Sequence, residues 1–319
     1  MEHICIKNLE ATGGMGGTYI MQSVQNKVAC NGNPYISGTL MDISGTISFI
    51  MFDYDGSISA ADTGKAVNVA GDMEIYNGRQ QVKLYHIELA ESSRVDWSTL
   101  VTTAPIDVDA AMRYLNDYFV NEKFADVDYH NICLAVCLKF KDHLPVCPAA
   151  MSVHHAFLGG LLMHTVSMMQ LANKICDHYE SMGFNIINRD LLVAGALMHD
   201  IGKIIEFDRS EQGLVTDYSK KGQLMGHAVI GAEIVDRVGH SEGADEEKID
   251  ALKHLVLSHH GKAELGAAMA PKCIEAELLS MIDNMDSRVE IYRENLEDIK
   301  PGSFGDYNKY LTKRIYKVA

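Results

Sequence analysis

Hydrophobic and polar positions change rhythm once along the chain. Up to about residue 90 they alternate every second residue, in runs at 17–24, 34–40, 46–52, 67–76 and 80–85, as half-buried strands require. Turn signals separate the runs: Asn31-Gly32-Asn33-Pro34, Asp55-Gly56 and Asn77-Gly78, the last closing a tight hairpin between the final two runs. About five strands within a hundred residues suit a small closed barrel, since a two-sheet sandwich of usual size needs more chain. The polar, turn-rich stretch 93–105 reads as a linker. After Pro105 apolar positions recur every three to four residues, predicting helices over 106–121, 127–143, 153–180, 189–200, 222–239, 246–260 and 272–295. The expected fold class is multidomain α and β: a barrel over 1–92, an all-α domain over 106–299 and a basic tail at 300–319.

Polar groups break the apolar helix faces at particular places. The doublet His199-Asp200 ends the apolar run Leu191–Met198 and continues as Ile201-Gly202-Lys203. Burying such groups is costly unless something compensates them, and a bound cation compensates both at once. His227 lies on the stripe of Ile230, Ile234 and Val235, and His259 on that of Ile249, Leu252 and Val256. Asp283 follows Leu279 by one turn, and His164 precedes Met168 by one. One inward histidine is ordinarily a satisfied core residue. Several, each on a different helix, point to a shared partner.

Mixed imidazole and carboxylate donors suit Mn, Fe, Zn or Ni better than Mg or Ca. The residues group as two sites. His164, His199, Asp200 and Asp283 would hold one ion, and Asp200 would bridge to a second held by His227 and His259, with the part of His260 left open. Two ions about 3.5–4 Å apart can activate water and stabilise the leaving oxygen of a phosphodiester. Asp200 is then a catalytic residue, and Lys203, one turn on, either neutralises the phosphate or simply caps a helix end.

Composition narrows the setting. The 319 residues are 47% hydrophobic and 22% charged, with room for two domains. No apolar run approaches the roughly 20 residues that span a bilayer. The N-terminus lacks the basic-then-apolar order of a signal peptide, and seven cysteines without a CxxC pair suggest reduced thiols in a cytoplasmic protein. A net charge of −15 argues against a broad basic surface gripping nucleic acid non-specifically. Residues 300–319 differ: Lys300, Lys309, Lys313, Arg314 and Lys317 face only Asp306, which fits phosphate contact or a solvated charged end.

The series His164…His199-Asp200…Asp283 resembles the H…HD…D signature of the HD superfamily of metal-dependent phosphohydrolases. Four stretches in order, His154–Leu161, Met198–Lys203, Leu257–Glu264 and Ile282–Asp286, resemble bacterial 3′→5′ exoribonucleases of the YhaM type over nearly the whole chain. The resemblance implies an N-terminal OB-fold before the HD domain. It also implies a divalent-metal enzyme, commonly manganese-dependent, that removes nucleotides from the 3′ end of single-stranded RNA, with single-stranded DNA left open as a substrate. On this resemblance His155 becomes a candidate catalytic group, and His154 and Lys262 become candidate contacts to the strand. Asp286 and Glu290 could support metal ligands or form surface ion pairs.

An OB-fold binds single strands by stacking bases on aromatics and tracking the backbone with cations. Most barrel aromatics are core by default. Tyr76, Arg79 and Lys83 flank the Asn77-Gly78 turn and are the expected exposed nucleic-acid contacts. The acidity of the barrel leaves room for a homo-oligomer that assembles a channel.

Two other readings compete. One is an HD-type nucleotide or cyclic-dinucleotide phosphohydrolase, although Gly261-Lys262-Ala263-Glu264 after His259-His260 lacks the Gly-Tyr-Pro element of the cyclic-di-GMP enzymes. The other is a non-enzymatic OB-fold nucleic-acid-binding factor, against which stands the number of interior polar groups that a purely structural core would gain little from.

Overall fold

The computed structural model describes residues 3–10, 13–54, 56–101, 103–121, 123–150, 157–209 and 215–319. Five strands, β1 (Gly14–Val28), β2 (Pro34–Asp42), β3 (Gly45–Phe52), β4 (Ala66–Tyr76) and β5 (Arg79–Leu89), close a barrel in the order β1-β2-β3-β5-β4. Every pairing is antiparallel except β3 with β5. This five-stranded Greek-key barrel is an OB-fold. Strand β1 serves two neighbours, β4 and β2, and a register shift between Met21 and Ser23 lets it bend from one to the other. Alternation sends Tyr19, Met21, Ile36, Leu40, Phe49, Val67, Val69 and Val82 into the barrel core. Asn77 (φ 49°) and Gly78 (φ 74°) make the β4–β5 turn, where positive φ at both central residues matches the strand twist.

The helices are α1 (Val108–Val120), α2 (Val127–Phe140), α3 (Gly160–Ser181), α4 (Arg189–Met198), α5 (Lys203–Glu206), α6 (Lys220–Glu242), α7 (Glu246–Ser258) and α8 (Ile274–Leu296). Side chains of Asp107, Asp126, Asn188, Ser219 and Asp245 accept hydrogen bonds from first-turn amides, which sets where five of them begin. Helix α4 is central: Leu191 to Met198 are all buried, and α2, α3, α7 and α8 pack around it.

Three features depart from the periodicity. Helix α3 starts at Gly160, whereas the pattern ran back to 153. Two short hairpins also appear, β6 (Phe207–Arg209) with β7 (Val215–Tyr218), and β8 (Ser303–Asn308) with β9 (Lys313–Lys317). Strands of three to six residues carry too few alternations to register against a polar background. The segment 300–319, expected as a tail, is instead anchored by Leu311 and Ile315 against Ile291, Tyr292 and Leu296.

The chain divides into two compact units, Met1–Thr103 with Asp208–Asp217, and Ala104–Phe207 with Tyr218–Ala319. Among the described residues no helix is long and apolar enough to cross a membrane, and no disulfide is present.

Candidate metal centre

The end of α4 sets the centre. The helix stops at Met198, His199 and Asp200 occupy the next turn, and the amide of Lys203 returns to the Asp200 carbonyl. Gly202 is required by packing: a Cβ there would lie 2.0 Å from the His227 carbonyl oxygen, so the absent side chain lets α6 come close enough to present His227. Inside α6, Gly226 adopts φ 71°, a kink that turns His227 toward Asp200.

Four of the five imidazoles are oriented from behind. His199 Nδ1 lies 2.9 Å from the Ala196 carbonyl, and His259 Nδ1 2.7 Å from that of Val256, so both donate there and aim a bare Nε2 inward. His164 Nδ1 is 2.7 Å from Asp286 Oδ2, and the other oxygen of Asp286 accepts from Ser167 Oγ. Glu206 does the same for His227, at 3.2 Å from its Nδ1 and 2.9 Å from its amide. Carboxylates behind ligating histidines fix the tautomer and strengthen the donor nitrogen.

The inward atoms form two groups. In the first, His164 Nε2 lies 3.0 Å from His199 Nε2, 3.3 Å from Asp283 Oδ1 and 3.8 Å from Asp200 Oδ2. In the second, His227 Nε2 is 3.1 Å from His260 Nε2, with His259 beside them. Asp200 divides between the groups: Oδ2 stands 3.4 Å from His199 Nε2, while Oδ1 stands 3.5 Å from His227 Nε2 and 3.8 Å from His259 Nε2. The buried atoms Asp200 Oδ1 and His259 Nε2 have no hydrogen-bond partner among the described residues.

A divalent cation fits these atoms. Two imidazole nitrogens held about 3 Å apart, as in each group, can share one cation through metal–nitrogen bonds of about 2.0–2.1 Å once the proton between them is displaced. Imidazole with carboxylate is also a donor set for divalent transition metals. The unused atoms Asp200 Oδ1 and His259 Nε2 point to the same conclusion, since a buried polar atom left unpaired is costly.

Electrostatics differ between the groups. Burial pushes the His164 imidazole down, but hydrogen bonds to Asp283 and Asp286 and the charges of Asp283 and Asp200 outweigh it and raise its pKa to about 10. The same cluster works on the acids. Burial opposes their ionisation, yet the Lys203 ammonium and nearby imidazoles hold Asp200 well below the usual carboxylate range, and His164 with His199 holds Asp283 below it. Burial lowers Lys203, but Asp200, with Nζ 2.7 Å from its Oδ2, raises it overall. In the second group burial first, then the neighbouring imidazoles, push His259 well down, and burial lowers His260. The first group attracts positive charge, and in the second, burial favours the neutral, donating form of His259 and His260.

Both groups border a cleft of about 700 Å³ lined by His164, Asp200, Lys203, His259, His260, Lys262 and Asp283. Of the expected ligands, His164, His199, Asp200, His227, His259, His260 and Asp283 are therefore all brought together. Lys203 and Lys262 reach the same cleft. His154 and His155 lie outside the described residues. Asp286 backs His164, whereas Glu290 pairs with Arg293 at 2.5 Å, away from the ligands. Glu206 had no signal beyond its place three residues after Lys203 in a buried turn.

In the barrel Tyr76, Arg79 and Lys83 are exposed beside the turn. Sequence periodicity missed Phe52 and Tyr85, which are also exposed, and Lys83 Nζ stands 5.9 Å from the Phe52 ring, with Tyr35 on its other side. Phe52 is the last residue of β3 and Tyr85 faces outward from β5, so neither is the core aromatic expected by default; Phe49 is.

Histidines and aspartates drawn from successive helices around a His-Asp doublet define an HD domain, and residues 161–288 match the HD domain family. Over longer stretches the chain is similar to proteins named 3′-5′ exoribonuclease YhaM. That of Listeria monocytogenes serovar 1/2a is 36% identical over 289 residues, covering 90% of this chain and 89% of the relative. Those of Geobacillus sp. and Bacillus velezensis are 34% and 36% identical, each covering 94% of this chain and 88% and 91% of the relative. The chain belongs to the YhaM family of 3′-5′ exoribonucleases. Among solved structures, the second OB-fold domain of replication protein A from Methanococcus maripaludis aligns with 29% of this chain and 98% of that domain, at 15% identity and a TM-score of 0.22.

Proposed function

We propose that this chain is a metal-dependent 3′→5′ exoribonuclease that hydrolyses phosphodiester bonds from the 3′ end of single-stranded RNA and, by the same chemistry, accepts single-stranded DNA. One observation carries the reading: the two oxygens of Asp200 face two separate imidazole groups at the floor of a cleft edged by lysines. His164, His199, Asp200 and Asp283 would hold one divalent ion, and Asp200, His227, His259 and His260 a second, manganese being the ion the family suggests. When bound, such a pair supplies an activated water and charge stabilisation for the leaving oxygen.

The chain's own residues account for the rest. Lys203 is anchored on Asp200 and keeps an ammonium at the cleft, where it offsets the phosphate charge. Lys262, exposed at the cleft edge, steadies the adjoining phosphate. Asp286 and Glu206 keep His164 and His227 in the donor tautomer. His155 as a further catalytic group and His154 as a contact to the strand extend the reading to residues known here from sequence alone. In the proposed division of labour, residues 1–92 bind the single strand, 93–105 link and 106–299 cut. Tyr76, Arg79 and Lys83 would track the strand across the barrel, joined by Phe52. Reduced cysteines fit a cytoplasmic enzyme, and a homo-oligomer is compatible with it.

The test is a 5′-labelled single-stranded RNA incubated with the protein and Mn²⁺, alongside a circular copy and the Asp200→Ala variant. A ladder receding from the 3′ end, an intact circle and an inactive variant are expected. Intact linear RNA together with hydrolysis of nucleotides or cyclic dinucleotides would replace the polymer substrate. No hydrolysis of any phosphoester would leave a binding factor.

A further inference from the structure

We propose that the C-terminal hairpin β8–β9 is a second contact for single-stranded RNA, a stacking platform apart from the metal centre. The proposal rests on the exoribonuclease reading and says how the strand upstream of the cut is held. Ile315 and Leu311 turn inward and anchor the hairpin on α8. The opposite face carries rings: Phe304 is 58% exposed, Tyr307 65% and Tyr316 46%. Register places Phe304 opposite Tyr316 and Tyr307 opposite Arg314, so these four side chains share one face. The Phe304 and Tyr316 ring centres are 4.9 Å apart, and the Arg314 guanidinium lies 5.6 Å from the Phe304 ring. At the turn Lys309 stands 4.8 Å from the exposed Tyr310 ring.

Packing does not require this face, because the inward residues already anchor the hairpin. Rings interleaved with cations are what a single strand needs, since bases stack on the rings and phosphates meet the charges, with little regard to sequence. Charge favours the same occupant. Within 300–319, Lys300, Lys309, Lys313, Arg314 and Lys317 outnumber Asp306 in a chain whose net charge is −15. They offset Glu294 of α8 and Asp298 just beyond it, which border the same hollow as Phe304, Tyr307 and Lys309. A second copy docking through the same patch would oppose cation to cation.

Position gives the proposal a length scale. The hairpin is tied to the last turns of α8, where Lys317 Nζ donates to the Leu296 carbonyl. Leu296 lies thirteen residues beyond Asp283 on the same helix, or about 20 Å at 1.5 Å per residue. A strand stacked at about 3.4 Å per nucleotide needs roughly six nucleotides to cover that span. Longer RNA would engage both places, and shorter RNA only the metal centre.

The experiment uses the full chain and the variant Phe304→Leu/Tyr307→Leu/Tyr316→Leu, which removes the ring faces but keeps apolar bulk. Binding of a fluorescent 12-nucleotide single-stranded RNA is read by anisotropy in EDTA, and hydrolysis of a trinucleotide is read with Mn²⁺. The 12-mer should bind at least about tenfold more weakly, with trinucleotide hydrolysis unchanged. Tyr307→Phe/Tyr316→Phe, which keeps the faces, should bind as the parent does. Unchanged 12-mer affinity in the leucine variant, or an equal loss in the phenylalanine variant, would overturn the platform. So would a change of oligomeric state with RNA binding unchanged, since the patch would then be a self-interface. If the parent protein cuts neither RNA yet the leucine variant loses binding, the exoribonuclease reading fails while the platform stands.

Discussion

Among the described residues the barrel buries one charged side chain, Asp42, and the helical unit buries several, but burial alone does not separate structure from chemistry. Asp42 is fully engaged. Its oxygens accept from the amides of Ile6, Ser44 and Gly45 and from Ser44 Oγ, and so tie the N-terminal segment to the β2–β3 turn. Two buried acids of the helical unit are engaged in the same way: Asp190 takes the Asp126 amide and Glu275 the Asn188 amide. Asp200 and His259 differ because each keeps a buried atom with no hydrogen-bond partner among the described residues. His3 does so too, beside Asp42, but only theirs lie within a cluster of five imidazoles and two carboxylates. A buried polar group whose bonding capacity is met holds the fold together. One whose capacity is left over, beside others like it, marks a place built for something else.

The sharpest way to break that contrast is Asp200→Ala. It should reduce metal-dependent phosphodiester hydrolysis on the order of a thousandfold or more, as loss of one member of a concerted catalytic set does. Equal activity in steady-state assays would show that the unpartnered oxygen is incidental. On the barrel side, Leu40→Ala should cost about 2–5 kcal/mol of stability by opening a cavity, because Leu40 is fully buried. Its metal affinity, followed by titration, should stay at the parent value, and a matching loss of metal would erase the distinction between the two cores.

Asp286→Asn tests whether a partnered acid can serve chemistry through another residue. It should weaken metal binding or activity by about 10–100-fold, since the amide holds His164 Nδ1 less well. An effect confined to thermal stability would return Asp286 to the structural class. Phe52→Leu should weaken single-strand binding by about fivefold or more while leaving dinucleotide cleavage alone; unchanged anisotropy would remove that ring from the interface.

A smaller effect concerns protons. With the His164 pKa raised to about 10, its imidazole carries a proton at neutral pH, and a divalent ion must displace it. Affinity should therefore rise with pH between about 7 and 10, with up to about one proton released per ion at the first group. Calorimetric heats that are the same in buffers of different ionisation enthalpy would show that no proton leaves.

Much of this was legible before any fold was known. Period-two alternation marked all five barrel strands, and period 3.6 marked the helices whose inward faces carry His164, His227, His259 and Asp283. Both signals are local, because a residue's face depends only on its neighbours' spacing. Phe52 and Tyr85 escaped because aromatic character says core, and only barrel closure shows which side of β3 and β5 they occupy. The C-terminal hairpin escaped because Leu311 and Ile315 are too few to form a pattern.

By itself, then, the amino-acid order determined the two kinds of secondary structure, the interior polar residues and the chemical class they belong to. Tertiary structure alone decided which oxygen of Asp200 faces which imidazoles, that His260 closes on His227, and that Glu206 and Asp286 stand behind the ligands. The physical reason is range. His164 and Asp286 are 122 residues apart in sequence and 2.7 Å apart in space, a separation set by how α3 and α8 pack on α4 and carried by no repeat along the chain.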